Sequence, residues 1–160
     1  MRLRGLVDED FSNYKKPSMY VISPFCTFKC DIEAGTTVCQ NSSLVKDTEI
    51  IEVSELKLVQ RYLKNKITKA IVFGGLEPID TFHELLEFII ILREQFNCLD
   101  DVIIYTGYTE EEIKEEIEQL KQFPNIIVKF DRFIPNQKPH LDDILGVELA
   151  SCNQYAKKIS

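Results

Sequence analysis

The chain has 160 residues, 44% of them hydrophobic, which suits one domain with a proper core rather than two. Its 19 basic against 26 acidic residues give a net charge of -7, so a polyanionic partner such as nucleic acid is disfavoured. The longest apolar run, residues 88–92, is far short of the roughly 18 residues of a membrane span, and the start of the chain lacks the apolar stretch of a secretion signal, so a cytoplasmic protein away from membranes is expected.

Met19-Tyr20-Val21-Ile22 is a short β-prone run ended by Ser23-Pro24. Residues 54–64 set Leu56, Val59, Tyr62 and Leu63 at helical spacing behind Ser54 as a cap. Residues 69–73 predict a buried strand stopped by Gly74-Gly75. Thr81 and Glu84 have capping-box spacing, and Leu85, Phe88, Ile89, Leu92 and Phe96 continue as one apolar face. Residues 102–105 predict the next strand. Thr109 and Glu112 form a second capping box, with Glu110 and Glu111 suited to the positive end of the helix dipole. Ile113, Ile117 and Leu120 give that helix a narrow stripe, and Ile126-Ile127-Val128 predicts a further strand. The acidic run 110–118 reads as a solvated face, and His83 and His140 as surface polar residues. The tail, residues 132–160, has little periodicity.

Helices between strands imply parallel pairing. A closed eight-stranded barrel takes about 250 residues, so the expected fold is α/β, a partial (β/α) barrel with a mostly parallel sheet of 5–6 strands. One domain is expected over residues 1–160, with a core of residues 19–133 and an extension at 134–160.

Five cysteines, an odd number without an export signal, argue for thiolate chemistry rather than disulfides. Cys26 and Cys30 lie in a Cys-Thr-Phe-Lys-Cys segment, and Cys39 follows after eight residues, placing three thiols on one loop after a strand. Thiolates select zinc or iron-sulfur centres. A cubane held by three cysteines leaves one iron open, whereas structural zinc needs a fourth ligand from Cys98, Cys152, His83 or His140, none of which sits in a ligand pair. On spacing alone zinc, an iron-sulfur cluster and inert buried cysteines all stay open.

Gly74-Gly75-Leu76-Glu77-Pro78 stands at a strand's carboxyl end, where open parallel sheets bind ligands and glycine allows close backbone approach. Tyr105-Thr106-Gly107-Tyr108 ends the next strand at the same edge and brings a hydroxyl and two aromatics. Either segment alone is also an ordinary turn.

Together these segments resemble the radical S-adenosylmethionine superfamily, and within it the small activating enzymes of anaerobic ribonucleotide reductase. The superfamily's CxxxCxxC loop is similar to Cys26, Cys30 and Cys39, here expanded by six residues and followed by Gln40-Asn41. Its Gly-Gly-Glu-Pro segment is similar to Gly74-Gly75-Leu76-Glu77-Pro78 with Leu76 inserted, and residues 104–109 look like the strand end of these activases. Asp131-Arg132-Phe133 resembles their Asp-Gly-Pro-Phe segment loosely, and Ala150-Ser151-Cys152-Asn153-Gln154 is similar to their Gly-Ser-Ser-Asn-Gln.

The resemblance implies a 4Fe-4S cluster on Cys26, Cys30 and Cys39, and S-adenosylmethionine bound at Val38, Gly74, Gly75, Glu77 and Thr106, with Val38 against the adenine. It implies reductive cleavage to a 5'-deoxyadenosyl radical without an acid-base dyad, so no side chain is assigned as catalytic. Its implied partners are a larger glycyl radical enzyme, such as an anaerobic ribonucleotide reductase, and an electron donor such as flavodoxin or ferredoxin. The alternatives are a radical enzyme acting on a peptide or small molecule, and a non-enzymatic zinc or iron-sulfur module.

Overall fold

The computed structural model describes residues 1–160. In chain order, β1 (Arg2–Leu3) and β2 (Gly5–Asp10) precede β3 (Ser18–Ile22), and two short helices follow, α1 (Lys29–Ala34) and α2 (Ser42–Asp47). Strand β4 (Ile51–Glu52), helix α3 (Glu55–Lys64) and strand β5 (Ala70–Gly74) come next. A 3-10 turn (Pro78–Thr81) feeds α4 (Phe82–Ile90), which widens into a π turn (Ile91–Gln95) before β6 (Asp101–Tyr105). The chain closes with α5 (Lys114–Leu120), β7 (Ile126–Phe130), β8 (His140–Asp142), β9 (Val147–Leu149) and β10 (Tyr155–Lys158).

The fold is mixed α/β around a six-stranded, mostly parallel sheet in the order β10-β7-β6-β5-β3-β2. Strands β3, β5, β6 and β7 are parallel neighbours, while β2 and β10 pair antiparallel at the two ends. The register sets Ile22 beside Gly74, Phe73 beside Ile104 and Tyr105 beside Lys129, so the carboxyl ends of all four parallel strands finish at one edge. Strands β1 and β4 form a separate small pair, as do β8 and β9. No helix is long and apolar enough to cross a membrane.

Strands β5 and β7 are buried along their whole length, the pattern of a sheet covered on both faces. Alternate residues divide the core. Met19, Val21, Ile71, Phe73, Val102, Ile104, Ile126 and Val128 meet Leu58, Val59, Leu85, Phe88, Ile117 and Leu120 of the helices. The opposite residues, Ala70, Val72, Ile103 and Ile127, meet Tyr14 from the loop after β2, Leu145 and Leu149 of the β8–β9 hairpin and Ala156 of β10. The second face is thus covered by a loop and the small β8–β9 hairpin rather than by helices.

Several local expectations change. The buried face of α3 is Leu58, Val59 and Tyr62, whereas Leu56 and Leu63 are each 38% exposed. Ser54 stands at its N-cap, but the side chain makes no capping bond and only the backbone carbonyl accepts from Leu58 N-H. Thr81 and Glu84 form no capping box, because the 3-10 turn runs straight into α4 and Glu84 instead accepts from Arg2 N (2.5 Å) and Arg2 Nε (2.6 Å). Phe96 lies beyond the π turn and is 37% exposed, since the extra residue in that turn rotates it off the stripe. Thr109 and Glu112 do exchange the reciprocal bonds of a capping box, at 3.0 and 3.3 Å, but around a turn at 110–113, since α5 starts only at Lys114 with Ile113 at its N-cap and Glu115 and Glu116 in its first turn; Ile113, Ile117 and Leu120 are buried.

Candidate functional site

A cavity of about 350 Å³ opens at the carboxyl edge of the parallel strands, within the size range of small-molecule sites. Cys26, Cys30 and Cys39 line it from the loops after β3, Gly75 and Glu77 from the turn after β5, and Thr106 and Tyr108 from the turn after β6. Lys129, Asp131 and Arg132 line it from β7 and its exit, and Gln154 from the tail. Of the residues expected to bind cofactor, Gly75, Glu77 and Thr106 meet here, while Gly74 and Val38 are not in the cavity wall.

Gly75 has φ 76°, and a Cβ there would stand 2.8 Å from Ile22 Cγ2, so only glycine fits the turn. Glu77 joins three segments. Its carboxylate accepts from Thr106 Oγ1 (2.7 Å), Gly107 N (2.8 Å) and Ile79 N (3.1 Å), and its own N-H donates to Phe25 O (2.9 Å) beside the first cysteine. Burial outweighs these donors and pushes its carboxyl up to about 7. The Thr106 hydroxyl donates to Glu77 and accepts from Tyr108 N (3.0 Å). Glu77 and Thr106 therefore hold each other and shape the edge.

Two other carboxylates organise the cysteine loop, and neither stands out in the sequence. Asp80 accepts from Thr27 N (2.8 Å) and Tyr108 Oη (2.7 Å), tying the cysteine loop to the turns after β5 and β6. Asp31 Oδ1 accepts from both Val38 N and Cys39 N at 2.8 Å. Local backbone helps: Phe28, at φ 52°, starts α1, and its N-H donates to Cys26 Sγ (3.3 Å).

The β7 side brings the charged residues Lys129, Asp131 and Arg132 to the cavity. Lys129 is 6% exposed, its ammonium donates to Asp131 O (2.7 Å), and burial lowers it to about 8. A lysine at an inward position of an apolar strand is a signal the sequence carried and the expectations passed over. Arg132 makes two bonds to Glu112, at 2.9 and 2.6 Å, which hold that carboxyl down at about 2, and it also pairs with Glu33 at 3.3 Å. Lys29 Nζ sits 4.4 Å from the centre of the Tyr108 ring.

The two carboxyl-terminal segments singled out in the sequence touch. Asn153 Nδ2 donates to Arg132 O (2.8 Å) and Gln154 Nε2 to Asp131 O (3.3 Å), while the Gln154 side-chain carbonyl accepts from Ser151 N (3.3 Å).

All five cysteines are free. Burial is the main cause that pushes Cys26 up to about 12, and burial followed by neighbouring Cys39 pushes Cys30 up to about 11. These are neutral thiols that become ligands once a metal's charge displaces their protons. Three half-buried thiols around one cavity are a donor set that fits a multi-iron cluster. Cys98 and Cys152 are not in the cavity wall, nor are His83 and His140.

Neither the curated proteins nor the solved structures provide a match to the chain. The model of one protein family, described as a 4Fe-4S single cluster domain, matches residues 18–145, from the start of β3 through the β8 strand and beyond all three clustered cysteines. On that match the chain belongs to the 4Fe-4S single cluster domain family.

Proposed function

We propose that the chain is a radical S-adenosylmethionine enzyme whose cluster is held by Cys26, Cys30 and Cys39. The observation that carries this reading is the convergence of three thiols with the Gly75 and Glu77 turn on one cavity at the ends of four parallel strands. When bound through three cysteines, the cluster keeps one iron open and supplies the single electron that splits S-adenosylmethionine into methionine and a 5'-deoxyadenosyl radical.

The chain's own residues bind and exclude. Gly75 lets the turn pack against Ile22, Leu44 and Tyr20 at the cavity wall, and the Glu77 bracket keeps the turns after β5 and β6 in fixed register. Lys129, buried beside the cavity and bonded only to the Asp131 carbonyl, is a cation there that a carboxylate-bearing molecule could meet, whereas Arg132 and Lys29 are already paired with Glu112. The mutual contacts of the Asp131-Arg132 and Asn153-Gln154 segments support the resemblance to glycyl-radical activases. On that reading the radical takes a hydrogen atom from a backbone glycine of a larger enzyme, yielding 5'-deoxyadenosine and a glycyl radical, with a flavodoxin- or ferredoxin-like protein supplying the electron. In this reading the fold is part of a (β/α) barrel whose open side the protein substrate covers.

The test is anaerobic reconstitution with iron and sulfide, followed by S-adenosylmethionine, dithionite and quantitation of 5'-deoxyadenosine. Cleavage by the native chain and by Cys98→Ala, with none by Cys26→Ala, Cys30→Ala or Cys39→Ala, is the expected result. Stoichiometric zinc without iron or labile sulfide after anaerobic purification overturns it. Adding an anaerobic reductase and recording a glycyl doublet by electron paramagnetic resonance tests the activase step separately.

A further inference from the structure

Eight residues separate Cys30 from Cys39, and they form α1 and a return segment that contribute no buried residue. Apolar packing therefore does not hold this excursion, and specific bonds must close it. Gly35, at φ 66°, turns the chain, and its N-H donates to Ile32 O (3.3 Å). Closure itself comes from one side chain. Asp31, next to Cys30, reaches across the loop with Oδ1 to the N-H groups of Val38 and Cys39, both at 2.8 Å. The residue adjoining one thiol is thereby bonded to the backbone of the other. Its carboxylate also lies 3.8 Å from Cys30 Sγ.

We propose that Asp31 is a positioning residue for cluster assembly, fixing Cys39 against Cys30 so that a long excursion presents its two thiols as a short spacer would. This rests on the reading of Cys30 and Cys39 as cluster ligands. Charge-assisted bonds from backbone N-H groups to a carboxylate are the stronger kind, and two of them on one oxygen remove most of the freedom the inserted residues bring. Both bonds use Oδ1, which an asparagine retains, so the geometry separates an acceptor that closes the loop from a negative charge that merely sits near it.

The experiment compares the full-length chain with Asp31→Ala, Asp31→Asn and Cys39→Ala after anaerobic reconstitution with ferrous iron and sulfide. Iron and labile sulfide per chain, and the rate of iron loss to a chelator, are measured alongside circular dichroism of each variant. Asp31→Ala is expected to keep the native circular dichroism spectrum and to lose iron at least about a hundredfold faster, the effect of two missing charge-assisted bonds. Asp31→Asn, which keeps the acceptor but loses the charge, is expected to lose iron more slowly than Asp31→Ala and somewhat faster than the native chain. Native iron content and lifetime in Asp31→Ala, with Cys39→Ala devoid of cluster, overturns the proposal while leaving the ligand reading intact. Loss in Asp31→Asn equal to that in Asp31→Ala overturns it as well. A native cluster in Cys39→Ala overturns the ligand reading and this proposal with it.

Discussion

At the scale of single residues, Glu77 shows a carboxylate used for architecture inside a binding cavity. It accepts from three donors on two turns and is 6% exposed. Because its carboxyl is raised to about 7 from an ordinary 4.5, its contribution to stability is full below about pH 4.5 and is lost as pH rises through about 7. Urea midpoints of the native chain should therefore fall across that window relative to those of Glu77→Gln, which has no proton to lose. Parallel pH profiles of the two proteins would count against the assignment. The sequence made the cysteines and Gly75 legible because each has a local signature: repeated thiols, or a glycine where a strand ends. It left Asp31 and Asp80 silent. Their roles depend on partners brought close by the fold, Asp80 joining positions 27 and 108.

At the scale of elements, periodicity located the four parallel strands to within a residue or two, because continuous apolar runs bounded by glycine, proline or charge have few other uses. It was weaker on helix orientation. In α3 five apolar or aromatic side chains, Leu56, Leu58, Val59, Tyr62 and Leu63, span too wide an arc for spacing to choose the buried face, and contact with the sheet chooses Leu58, Val59 and Tyr62. Leu58→Ala should cost about 2–5 kcal/mol by leaving a cavity, whereas Leu56→Ala should cost under about 1 kcal/mol; equal losses in chemical denaturation would refute the observed face. The two capping boxes make the same point. Thr109 and Glu112 realise theirs, but Glu84 bonds Arg2 from the far end of the chain, a competitor no local pattern reveals.

At the scale of the whole molecule, the core and the site are built from different material. A cluster of 22 buried residues joins the sheet to its helices without any of the three clustered cysteines, so folding does not wait for metal. The variant with Cys26, Cys30 and Cys39 all changed to Ser should unfold cooperatively, with a urea midpoint close to that of the metal-free native chain. A metal-stabilised module predicts the opposite, unfolding on removal of the metal. The sheet's outer strands were the least legible part of the architecture. Gly5–Asp10 carries three acidic residues and Tyr155–Lys158 buries one side chain, so neither shows the alternation of a half-buried strand, and both are fixed by antiparallel pairing to a neighbour already in place.

Helices α1 and α2 contribute no buried residue, yet they frame the three thiols. An arm of this kind, mounted on a rigid sheet, can receive its inorganic cargo after the rest of the chain is finished, without any opening of the interior. The same openness gives dioxygen a path to the three thiols and to whatever they hold.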